Sequence, residues 1–119
     1  MAGFSRGAIA SNFIGLNEAL SSLWKGFICH SHYDGFIPWP HEGSGQAPAK
    51  LRLERLGDRA QLFSHEFSVD DVETYFQRAD NDPQFTFCAL PFKGHTDSWV
   101  LKDIPERRVL RNWFRKVLS

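Results

Sequence analysis

Leu51-Arg52-Leu53-Glu54-Arg55-Leu56-Gly57-Asp58-Arg59-Ala60-Gln61-Leu62-Phe63-Ser64-His65-Glu66-Phe67 is the stretch on which a reading of the fold turns. Leu51 and Leu53 alternate with Arg52 and Glu54, Gly57-Asp58 punctuates, and Ala60 to Phe67 resumes an extended pattern. That sequence of signals predicts a hairpin with one core face. A hairpin makes its strands antiparallel, so the expected sheet is antiparallel.

On the N-terminal side, Ile9, Phe13, Leu16, Leu20 and Leu23 recur at helical spacing and predict one amphipathic helix over 8–24, ended by Gly26. Phe27-Ile28-Cys29 is expected to be a brief buried strand or a turn onto the core. From His30 to Pro48 repeated Pro and Gly predict a long loop, the region where function is expected to concentrate. On the C-terminal side, Ser68 with Asp71 resembles a capping box and opens a helix with the stripe Val69, Val72, Phe76 and Ala79, stopped by Asp80-Asn81-Asp82-Pro83. Phe85, Phe87 and Ala89 mark a strand, and Ser98-Trp99-Val100-Leu101 reads as its return partner after a turn at Lys93-Gly94. Asp103 can cap the last helix, Pro105 sits in its first turn, and Leu110, Trp113, Phe114, Val117 and Leu118 form its apolar face.

The order α-β-β-β-α-β-β-α describes an α+β fold: one domain over 1–119 with a mainly antiparallel sheet of about five strands and three helices. Phe13, Leu16, Leu20, Phe85, Phe87, Leu110 and Phe114 are its expected core. The 119 residues are 42% apolar, with 11 Phe and 4 Trp, ample for a packed interior. No run suits a membrane span and Met1 to Arg6 has no leader pattern, so the expected compartment is the cytoplasm. Cys29 and Cys88 sit in apolar stretches and read as buried, reduced thiols.

The 14 basic and 14 acidic residues balance, which disfavours strong nucleic-acid binding. Their distribution is uneven: residues 61–101 hold seven acidic against two basic, and 102–119 six basic against two acidic. Arg108, Arg111 and Arg115 form a basic ridge on the last helix. Exposed aromatics and arginines anchor interfaces, so Tyr33, Phe36, Trp39, Arg108, Arg111 and Arg115 are the candidate contacts for a protein partner with an acidic surface. The leading expectation is a non-enzymatic interaction module, such as an inhibitor, immunity or adaptor protein, with no cofactor. Nucleic-acid binding through the last helix ranks third.

Cys29-His30-Ser31-His32-Tyr33-Asp34-Gly35 carries the second-ranked reading. It resembles the His-x-His-x-Asp-His signature of the metallo-β-lactamase fold at His30, His32 and Asp34, with Gly35 where that family has its next histidine. The resemblance implies a doubled αββα layering and a metal-dependent hydrolase or lyase. Read from the residues alone, His30 and His32 with Asp34, His41 or His65 could ligate zinc. His65-Glu66 and His95-Thr96-Asp97 place imidazole beside carboxylate with no adjacent nucleophile. The better-known catalytic patterns, the Gly-x-Ser-x-Gly of serine hydrolases among them, are expected to be absent.

Overall fold

The computed structural model describes residues 1–37, 39–77 and 83–119. Its sheet has four strands in the order β1-β2-β3-β4: β1 (Ala2–Phe4), β2 (Gly26–His30), β3 (Ala60–Glu66) and β4 (Phe85–Leu90). Every pairing is parallel, with Ala2 opposite Ile28, Ile28 opposite Leu62, and Leu62 opposite Thr86. Helices α1 (Arg6–Gly15), α2 (Gln46–Glu54) and α3 (Asp70–Phe76) make the crossovers, and α4 (Pro105–Leu118) follows β4. This α/β arrangement overturns the expected antiparallel α+β sheet of about five strands with three helices. It is equally unlike an αββα layering.

The physical reasons lie in three segments. Residues 51–54 belong to α2, where Ala49 and Leu53 turn inward at helical spacing while Leu51 stays exposed, and Leu56 is buried just beyond the helix end. The apparent alternation of Leu and charged residues is therefore a helix seen two residues at a time. Ser98–Leu101 is a 3₁₀ turn rather than a return strand, with Trp99 buried beneath it. The three-residue β1 is too short to show any period.

The predicted helix over 8–24 stops at Gly15. Beyond it the Asn17 side chain accepts the Ala19 N–H at 3.0 Å, a local turn that competes with helix, and Leu20 and Leu23 end up exposed. Strand β2 is buried along its whole length, as parallel strands covered on both faces are. Phe27, Cys29, Phe63 and Phe85 face one side with Tyr33, Leu56, Val69, Val72 and Phe76. Ile28, Leu62 and Leu90 face the other with Trp99, Leu110 and Trp113. Of the expected core, Leu16, Phe85 and Leu110 are buried, Phe13 and Phe87 half-buried, and Leu20 and Phe114 exposed. Ala79 and the stop at 80–82 lie outside the described residues. Among the described residues no helix is long and apolar enough to cross a membrane.

Candidate active site

Three strands end in the same way. Ser5, Ser31 and Phe67, the residues directly after β1, β2 and β3, all have positive φ, at 55°, 72° and 68°. Each donates its N–H to the next strand: Ser5 to the His30 carbonyl at 2.9 Å, Ser31 to Ser64 at 2.9 Å, and Phe67 to Leu90 at 3.1 Å. These bonds hold side-chain-bearing residues in a backbone region that costs on the order of 1–3 kcal/mol each, a form of strain that gathers at functional sites. They ring the carboxyl ends of the strands, where open α/β sheets bind their ligands.

Ser5 lies on the sharp turn from β1 into α1, with φ 55° and ψ −123°. Its flanks explain why the turn closes. A Cβ at Gly3 would overlap the Gly7 carbonyl and the Ser11 hydroxyl, so only glycine lets β1 and α1 approach this closely. Residues 3–7 are thus Gly3-Phe4-Ser5-Arg6-Gly7. This is a Gly-x-Ser-x-Gly in the strand-turn-helix context that gives the pattern its meaning, and the expectation that none is present is corrected.

The Ser5 hydroxyl meets His95 Nε2 at 3.0 Å, and His95 Nδ1 meets Glu66 Oε1 at 2.8 Å. Glu66 can only accept, so Nδ1 carries the imidazole proton and Nε2 is left to accept from Ser5. A nucleophile, a base and an orienting carboxylate are aligned in one hydrogen-bonded chain. Their order along the chain is Ser, Glu, His, the order found where a Gly-x-Ser-x-Gly turn tops an α/β sheet. The Arg6 N–H is among the first amides of α1, which no carbonyl of the helix can reach. It sits next to the nucleophile, where such sites bind the oxyanion.

Glu66 is the hub. Besides His95 it accepts from the Ser31 hydroxyl, and His30 Nε2 and His65 Nδ1 lie 3.7 and 3.3 Å from its two oxygens. Burial pushes its pKa up, but the bonds from Ser31, its own backbone N–H and His95, with His30 nearby, outweigh this and hold the carboxyl below its usual range. His30 is buried and neutral, its pKa lowered by desolvation. Its Nε2 donates to the Thr96 carbonyl at 3.1 Å and its Nδ1 accepts from Ser64 at 2.9 Å. Phe4 packs on both His30 and His95, with ring centroids 5.3 and 4.7 Å away.

Of the residues singled out from sequence, His30, His65, Glu66 and His95 meet in this cluster, while Asp34 and His41 are engaged elsewhere. Asp34, almost fully buried, is held by Arg52 through two bonds of 2.6 and 2.9 Å. His32 packs near His95 at 5.6 Å between rings, and His41 lies beside Trp39. Among the described residues no three His, Cys, Asp or Glu side chains are grouped to hold a metal ion. Tyr33 is in the core, Phe36 packs against Tyr75, and Trp39 is half-buried. Arg108, Arg111 and Arg115 are exposed on α4. Cys29 and Cys88 are free, and burial pushes their thiols up to about 12 and about 11, so neither is a ready nucleophile.

The signal for Ser5 was available in the glycine pattern of residues 3–7, whereas its pairing with His95 and Glu66 needed the fold. Comparison of the chain with protein-family models, with curated proteins and with solved structures finds no match.

Proposed function

We propose that this protein is a serine hydrolase of the α/β-hydrolase type, acting on carboxylic esters through Ser5, His95 and Glu66. The observation that carries the reading is the hydrogen-bonded chain Ser5–His95–Glu66 with its serine on a left-handed strand-to-helix turn. Ser5 Oγ attacks the ester carbonyl carbon while its proton passes to His95 Nε2. The resulting oxyanion is stabilised by the Arg6 N–H. The C–O bond then breaks, the alkoxide leaves with the proton from His95, and the acyl group remains on Ser5. Water, deprotonated by the same imidazole, releases the acid. Glu66 fixes the ring and stabilises its cationic form throughout. The sequence of steps calls for no cofactor, and two buried reduced thiols suit a cytoplasmic setting.

This reading takes precedence over an interaction module because it accounts for the strained turn at Ser5 together with the His95 and Glu66 bonds behind it. The experiment is labelling with an alkyl fluorophosphonate followed by peptide mass analysis. Covalent modification of Ser5, lost in Ser5→Ala, is the expected result. An unlabelled Ser5 in folded protein that also leaves nitrophenyl acetate intact would overturn the assignment.

A further inference from the structure

Helix α1 runs away from the nucleophile with one side left open. Ile9, one turn after Ser5, begins an apolar wall continued by Ala10, Phe13 and Ile14. Trp39 and His41, their rings 5.3 Å apart, form the facing wall. The space between is a cavity of about 250 Å³, and Ile9, Trp39 and His41 also line a neighbouring cavity of about 380 Å³ that reaches Arg6, His32 and Ile37. The second cavity comes near Ser5 and His95 through its lining: Arg6 follows Ser5 directly, and the His32 ring lies 5.6 Å from that of His95. From Arg6 to Ile14 the helix rises about 12 Å.

The inner cavity is lined by apolar side chains except for His41, whereas Arg6 and His32 line the outer one. Phe13 is held in place by the Arg52 guanidinium 4.4 Å above its ring, and Arg52 is itself fixed by Asp34. A rigid apolar slot leading away from a nucleophile suits the part of a substrate that carries no polar group, with the scissile carbonyl left at the mouth.

We infer that this groove binds the acyl chain of the substrate, so that the protein prefers esters of medium-length aliphatic acids and Trp39 sets that preference. The inference rests on the hydrolase reading and deepens it. Each methylene that enters the groove should raise kcat/KM by roughly fourfold, since burying one CH₂ changes a binding equilibrium by about that factor. The rise should end where the chain meets Ile14 and solvent.

Two measurements test it. With nitrophenyl esters from acetate to decanoate, kcat/KM should climb to a maximum between butyrate and octanoate. Trp39→Ala should lower the hexanoate-to-acetate ratio about tenfold or more, and Ala10→Phe should move the maximum to shorter chains. Independently of turnover, calorimetric titration of Ser5→Ala with the sodium salts of the same acids should show affinity growing with chain length, and weaker growth when Trp39 is also Ala. Flat affinity across the acids, or a chain-length profile that Trp39→Ala and Ala10→Phe leave unaltered, would overturn the groove. If Ser5 is labelled and acetate is cleaved, such a result removes the groove alone. If the acids bind by chain length while Ser5 is neither labelled nor active, the hydrolase reading fails and the groove stands as a binding site.

Discussion

His95 Nε2 lies 3.0 Å from Ser5 Oγ, although 90 positions separate the two residues in the chain. Neither has chemistry alone: a serine hydroxyl without a base is a poor nucleophile. Replacing either by Ala should therefore reduce ester hydrolysis by about 10⁴- to 10⁶-fold, and replacing both should cost no more than one. Steady-state rates of the two single variants and the double variant check this, and losses that multiply would show that the residues act separately.

Glu66→Gln keeps the shape of the hub and removes its charge. The amide can present its NH₂ group to His95 and favour the wrong tautomer, so turnover should fall by about 10⁴-fold, the scale of such losses in serine hydrolases, while the circular dichroism spectrum stays native. An active Glu66→Gln enzyme would mean that the carboxylate only organises the loop.

Acid should destabilise the protein through this same cluster. Burial lowers the pKa of His30 and of His32, and Glu66 is also held below its usual value. In each case the unfolded chain takes up a proton at a higher pH than the folded one, so their contribution is fully present above pH 6.5 and lost as the pH falls. Urea midpoints should drop as the pH falls from about 7 to 5, with a smaller drop in His30→Asn. Midpoints that rise between pH 7 and 5 would contradict the assigned neutral state of His30.

Breaking the Asp34–Arg52 pair from one side strands a charge that is almost wholly enclosed. Arg52→Met should cost about 3–5 kcal/mol, and pairing it with Asp34→Asn should recover part of that loss. Equilibrium unfolding of the three variants measures the coupling. Equal stability of Arg52→Met and wild type would show that solvent reaches Asp34.

Two glycines of the elbow should behave oppositely. Gly3→Ala forces a methyl group against the Gly7 carbonyl, which backbone cannot easily yield, and should cost about 1–3 kcal/mol and misplace Ser5. Gly7→Ala meets nothing within 4 Å and lies in α1, so it should stabilise by about 0.5–1 kcal/mol. Thermal melts of the pair distinguish a packing constraint from a general need for flexibility.

What could be read along the chain depended on whether a signal was local. The strands at 26–30 and 85–90, the helix after Ser68 and the final helix all announced themselves through apolar runs or start signals. The direction of strand pairing did not, because parallel pairing is decided by helices that fold back across a sheet, and α2 was hidden behind a short alternation of Leu with Arg and Glu. The site followed the same division. His30 stands out as a residue, but its role is to brace the Thr96 segment beside Glu66, and His95 is placed by a loop after β4 that no periodicity describes. Only Ser5 had a local mark, and a three-residue strand did not make it conspicuous.

Strand β1 is the outermost strand of the sheet and pairs on one side only, with three residues in register. Marginal strands of this kind detach before a domain unravels, since opening them exposes little apolar surface. The serine is anchored to that strand, while its glutamate partner lies at the end of β3, which is paired on both sides. If Ser5 acts as proposed, that strand is a fuse: gentle heating should silence ester cleavage, reversibly, at temperatures where tryptophan fluorescence still reports an intact interior.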